Sequence, residues 1–119
     1  MPTRITKSFS FDAAHWLPHV PPGHKCGRLH GHTYTVSLIL EGALDPQLGW
    51  VMDFSEVKSE CQSLLTHLDH VCLNEVPGLE NPTAEILARW IFQKLKPQLP
   101  RLVEVTVHET PTSSASYRL

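Results

Sequence analysis

No apolar run in this chain approaches the roughly 20 residues needed to cross a bilayer as a helix. The opening residues, "MPTRITKSFSF", lack the apolar stretch of a secretory signal. The expected location is therefore cytoplasmic, with no membrane partner. Cysteine is scarce, with three among 119 residues, and no CxxC pair occurs. An odd count without that motif argues against a disulfide framework and for free thiols. Neither sign of charge dominates, with 10 basic and 12 acidic residues. No basic stripe points to nucleic acid, and no acidic block points to a disordered tail. Repeats, low-complexity tracts and long linkers are also missing. Residues 1–119 are expected to form one domain, long enough to bury its own core.

Against these absences stands an excess of histidine, eight in all. Three of them, His15, His30 and His32, fall in segments that read as strand. "RITKSFSFDAAH" alternates through Ile5, Phe9, Phe11 and Ala13, a strand pattern. "HTYTVSLILEG" is rich in β-branched and aromatic residues and forms the second strand. Between them lies a Pro-, Gly- and His-rich loop, "WLPHVPPGHKCGRL". Val57, Cys61, Leu64, Leu65 and Leu68 mark one face of a helix, capped by Asp53 or Ser55. Ile86, Leu87, Trp90, Ile91 and Leu95 mark a second, capped by Thr83 and ended by Pro97. "LVEVTVHET" alternates strictly, with Val103, Val105, Val107 and Glu109 on one side. "SASYRL" is the fourth strand. The order ββααββ predicts an α+β fold, with two helices on one face of an antiparallel sheet. Exposed sheet edges disfavour a lone subunit, so edge-to-edge oligomerisation into a barrel is expected.

Side chains alternate along a strand, so His30 and His32 share a face. If the first two strands pair as a hairpin, His15 at the end of one sits beside His30 at the start of the other. A single strand-end histidine is ordinarily solvated or hydrogen-bonded. Three converging neutral imidazoles suit Zn²⁺ instead, with a fourth position open for water or substrate. His19, His24 and His67 lack periodic placement and read as surface residues.

Cys26 lies in the loop just before these histidines. Its thiolate could be a fourth ligand, a nucleophile or a base, activated by Lys25, Arg28 and a nearby cation. Cys61 falls on a core-facing helix stripe, and Cys72 has no assigned role. Asp69 and His70 follow the first helix, either as a solvated end or as a carboxylate-held proton shuttle. Glu109 shares the apolar side of its strand, where a carboxylate must find partners. It is either bonded to neighbouring backbone or free to take two N–H groups from a guanidine-like ring edge.

The motifs "FDAAHWLP", "GHKCGRLHGHTY", "GWVMDFSEVK", "LDHVCLN", "ENPTAEILARWI" and "HETPTSSASY" together resemble the 6-pyruvoyl-tetrahydropterin synthase superfamily. The likeness spans nearly the whole chain and is strongest to its bacterial 6-carboxytetrahydropterin synthase branch, which serves queuosine biosynthesis. It implies a T-fold with two helices between strands two and three, closed into barrels as trimers or hexamers with sites between subunits. It implies His15, His30 and His32 as zinc ligands and Cys26 as the catalytic thiol. Asp69 and His70 would complete the proton relay, reaching the site from a neighbouring subunit. Glu109 would anchor the pterin, with Thr83 and Glu85 as further pterin contacts. Lys25, Arg28 and, more weakly, Arg118 are the cations placed nearest for a triphosphate. The substrate implied is 7,8-dihydroneopterin triphosphate. The carboxy-forming, the pyruvoyl-forming and a non-catalytic zinc- or pterin-binding role all share these features.

Overall fold

In a computed structural model that describes residues 2–119, the elements fall in the expected order. Strand β1 spans Thr3–His15, and β2 spans His30–Gly42. Helices α1 (Phe54–Leu68) and α2 (Ala84–Leu95) follow, then β3 (Leu102–Thr110) and β4 (Ser113–Arg118). The four strands make one antiparallel sheet in chain order, with the helices between β2 and β3 in sequence.

β2 shows why the sheet has one covered face. Tyr34, Val36, Leu38 and Leu40 are all fully buried under the helices. Their neighbours turn the other way, and Thr33, Thr35 and Ser37 among them carry hydroxyls. On that face Ser8 pairs with Ser37 at 3.0 Å, Ser10 with Thr35 at 3.3 Å and Thr106 with Ser116 at 2.7 Å. Such a face needs no apolar cover, so the period-2 alternation alone decides which side takes the core.

Both helix caps are built from short oxygen-bearing side chains. Asp53, rather than Ser55, caps α1, its carboxylate accepting the Ser55 N–H at 2.9 Å. Thr83 caps α2 by accepting the Ile86 N–H at 3.1 Å. Helix α1 buries Val57, Cys61 and Leu68, with Leu64 and Leu65 at the margin. Burial of Cys61 in the core pushes its thiol up to about 11, so it stays a neutral, inert thiol. Helix α2 buries Leu87, Ile91 and Leu95 as the periodicity requires, but also Ala88 and Phe92. Ile86 and Trp90 are only half-buried. The covered arc is rotated because α2 lies over both β3 and β4, where Phe92 meets the edge of Tyr117 at 5.2 Å between ring centroids.

The strict alternation expected for β3 fails at its start. Leu102 opposes Leu40, and Glu104 opposes Ile39, leaving Val103 as an extra residue. Leu102 is fully buried, whereas Val103 is not. A bulge of this kind shifts the parity by one, which hydrophobic period alone does not reveal.

The outer edge of β1 is closed only over its last residues. The Asp12 N–H donates to Asp69 Oδ1 at 3.0 Å, the His70 N–H donates to the Asp12 carbonyl at 2.6 Å, and the Ala14 N–H donates to the Val71 carbonyl at 3.0 Å. Asn74 continues the pattern with its side chain. Its Oδ1 accepts the Trp16 N–H, and its Nδ2 donates to the Trp16 carbonyl. The segment after α1 thus docks along the strand end that carries His15. Making this turn places His70 at φ 60°, a left-handed conformation that is uncommon for a residue other than glycine. Among the described residues, no helix is long and apolar enough to cross a membrane.

Candidate active site

The β1–β2 hairpin sets the site. His15 pairs with His30 across it, and Ala13 pairs with His32. All three imidazoles project from the covered face, at the end where the helices give way to the loop. His15 is 1% exposed, and among the described residues it is the polar one buried in the core. A buried imidazole needs partners, and it has them. Its Nδ1 donates to the Pro82 carbonyl at 2.8 Å. The His30 Nδ1 donates to the Arg28 carbonyl at 2.7 Å.

Those two bonds decide the tautomers. A carbonyl oxygen only accepts, so each Nδ1 carries a proton. A neutral ring then holds its lone pair on Nε2. The Nε2 atoms of His15 and His30 lie 3.0 Å apart. Two lone pairs face each other at hydrogen-bond distance, with no proton assigned between them. A positive charge at that point removes the repulsion. Protonating His15 is opposed, because burial holds its imidazole below the ordinary range. The Pro82 hydrogen bond and the Glu109 charge pull weakly the other way. A metal cation held between the two nitrogens would remove the repulsion without a proton on either Nε2.

His32 completes the set. Its ring centroid lies 5.1 Å from that of His15 and 5.0 Å from that of His30. One nitrogen from each of the three lies within 4.8 Å of the others. Tetrahedral ligands about 2.1 Å from a zinc ion stand about 3.4 Å from one another. The observed 3.0 Å pair lies close to that value and the third ring stands within reach, so the donor set is compatible with an imidazole-preferring divalent ion. The Nδ1–carbonyl bonds are the outer contacts that orient such ligands.

A cavity of about 440 Å³ opens over the three rings. Its walls also include Leu17, Lys25, Cys26 and Glu109. Cys26 is carried on a short 3₁₀ turn, Lys25–Gly27, and its thiol is free. Glu109 Oε2 lies 3.9 Å from His15 Nε2, and its side chain is 26% exposed. The register of β3 against β4 slips between His108 and Thr110, so Glu109 is the extra residue. Such a bulge re-aims a strand-end side chain, here toward the cavity. Beneath the rings, the Tyr34 hydroxyl is buried without a hydrogen-bond partner. Burial, helped by the Glu109 charge, pushes its phenol well above the ordinary range.

Asp69 and His70 do not line this cavity. His70 lines an open cleft with Asp12, Thr33 and Cys72, where His32 forms a shared wall, and Asp69 sits beside it, grouped with Asp12 and His70. His70 Nδ1 is 3.0 Å from Asp69 Oδ2, and the His70 side chain is 77% exposed. The Asp12 N–H, helped by His70, holds the Asp69 carboxyl below the usual carboxylate range. Thr83 acts as the α2 cap, and Glu85 is exposed in the first turn of that helix. Arg28 offers its carbonyl to His30, while its side chain is exposed, as is Arg118 at the end of β4. None of Thr83, Glu85, Arg28 or Arg118 is among the residues lining the cavity. Pro82, next to the cap, is the contributor that residue type does not flag, because it acts through its carbonyl.

Residues 4–119 match the profile of the family described as 6-pyruvoyl tetrahydropterin synthase. A Synechocystis protein named 6-carboxy-5,6,7,8-tetrahydropterin synthase is 45% identical, over 95% of this chain and 91% of its own. A Pyrococcus furiosus protein named dihydroneopterin monophosphate aldolase is 36% identical, over 84% of this chain and 81% of its own. The fold superimposes on a Caenorhabditis elegans 6-pyruvoyl tetrahydropterin synthase structure with a TM-score of 0.92, at 30% identity, covering 100% of this chain and 96% of that one. The chain belongs to the 6-pyruvoyl tetrahydropterin synthase family.

Proposed function

We propose that the protein is a zinc-dependent 6-carboxytetrahydropterin synthase acting as a single-domain subunit in queuosine (7-deazaguanine) biosynthesis. With one water consumed, it converts 7,8-dihydroneopterin triphosphate to 6-carboxy-5,6,7,8-tetrahydropterin, acetaldehyde and triphosphate. The observation that carries this reading is the pair of facing Nε2 lone pairs in a cavity shared with a thiol and a carboxylate. The 45% identity to a protein of that name supports the choice of product.

His15, His30 and His32 hold the ion. When bound, it supplies Lewis-acid polarisation of the substrate's side-chain hydroxyls. Glu109 takes two N–H groups of the pterin ring edge, which fixes the rest of the substrate over the cavity. Cys26 thiolate removes a proton from a carbon of the substrate's side arm and helps return it to the ring. His70, oriented by Asp69, handles a second proton and enters from a neighbouring subunit. This places the active site at a subunit boundary of a trimer or hexamer. Lys25 offers the cation nearest the cavity for the triphosphate. The ring gains hydrogen as the side arm loses it, so no redox cofactor is required.

A second reading is 6-pyruvoyl-tetrahydropterin synthase, favoured by the close superposition on the nematode enzyme structure. Product analysis separates the two. Zinc-loaded protein is incubated anaerobically with 7,8-dihydroneopterin triphosphate, followed by mass spectrometry and an acetaldehyde assay. 6-Carboxytetrahydropterin with acetaldehyde is expected. The pyruvoyl product without acetaldehyde moves the protein to the second reading. Unchanged substrate over bound zinc and reduced Cys26 leaves a binding module.

A further inference from the structure

We propose that His24, a residue with no part in the ligand or proton-relay sets, is a positioning residue for the Cys26 thiol. The idea rests on the role given to Cys26 above. His24 is exposed and sits in the loop, where its type and spacing mark it only as surface. Its imidazole nevertheless caps the turn that carries the thiol. His24 Nδ1 accepts the backbone N–H of Cys26 at 3.0 Å. The His24 carbonyl accepts the Gly27 N–H, also at 3.0 Å.

The other side of Cys26 is held as well. Its carbonyl accepts the Leu17 N–H at 2.8 Å, from the segment that follows β1 and lines the same cavity. Both peptide groups flanking the Cys26 Cα are therefore tied, one to an imidazole and one to the backbone that follows His15. With them fixed, the rotamer about Cα–Cβ is what remains to aim Sγ. A three-residue turn has no helix of its own to keep its place. The cap supplies the constraint, and it acts on the thiol-bearing residue itself.

Chemistry defines the test. Nδ1 of histidine is two bonds from Cβ, as is Oδ1 of asparagine, so asparagine can accept the same N–H in the same ring size. Alanine cannot. With zinc loaded, His24→Ala is expected to lower kcat roughly tenfold to a hundredfold, the scale of a misplaced catalytic group. KM and zinc content stay at wild-type values. His24→Asn restores most of the kcat. In parallel, iodoacetamide labelling of Cys26, resolved from Cys61 and Cys72 by peptide mass spectrometry, speeds up in His24→Ala and returns toward wild type in His24→Asn. Wild-type kcat and labelling in His24→Ala overturn the proposal. So does a loss that Asn does not restore, or one that appears in KM or zinc content. The labelling comparison needs no turnover. If Cys26→Ala keeps full activity, the catalytic reading fails while labelling still decides whether His24 positions the thiol.

Discussion

Replacing Glu109 with glutamine tests the anchor at its most sensitive point. The change keeps size and shape but removes the charge and turns one acceptor into a donor. A hydrogen bond to a charged group contributes about 1.5–3 kcal/mol. Two such bonds to the pterin ring edge would be weakened, and one ring N–H would face an amide N–H. The Glu109 side chain is 26% exposed, so water screens part of the effect, and the two bonds together stay within the range of one. We expect a loss of about 2 kcal/mol, or roughly 30-fold in Kd. Calorimetric titration of zinc-loaded protein with a non-reactive pterin measures it. Zinc content is expected to stay unchanged, because Glu109 lies outside the three-imidazole set and 3.9 Å from His15 Nε2. A Kd within about threefold of wild type, some 0.6 kcal/mol, would refute the anchor role. Loss of zinc in this variant would refute the assignment of ligands instead.

Other consequences follow from the same contacts. Cys26→Ala should bind zinc and pterin normally while single-turnover product formation collapses; full turnover would remove the thiol from the reaction. Tyr34→Phe deletes a buried hydroxyl without a partner and keeps the stack on Phe11, at 5.1 Å between centroids. It should raise the urea midpoint, by about 1 kcal/mol of stability, and a lowered midpoint would mean that the hydroxyl has a partner. Asp69 has a folded pKa below its unfolded value. The stability it adds is present above about pH 4 and is lost as pH falls through the folded value. The Asp12 amide resonance should follow that titration, and Asp69→Asn should abolish the response.

Much of the site was legible because strand parity and hairpin pairing are simple rules. His30 and His32 had to share a face, and a hairpin had to bring His15 to them. The register His15↔His30 met that expectation. Glu109 stands out by parity, yet its aim depends on a bulge that parity does not show. The same blindness places Val103 in the core, where Leu102 sits. Contributions made through backbone or through a side chain acting as backbone left no signal. Pro82 and Arg28 orient two imidazoles with carbonyls, and Asn74 closes the β1 edge with its amide. His24 reads as a surface residue because exposure, not hydrogen bonding, is what composition suggests. Asp69 and His70 stand as a pair, but their cleft lies beside the cavity rather than in it.

In the proposed function, His15, His30 and His32 form one cation site. Elemental analysis of wild type and His30→Ala, purified side by side, tests it most directly. His30 is half-buried at the strand end, so circular dichroism should show the fold retained. Wild type is expected to carry about one zinc per subunit, the stoichiometry of a three-imidazole catalytic site, and His30→Ala close to none. Full zinc in His30→Ala would contradict the site, and with it the explanation of the two facing nitrogens.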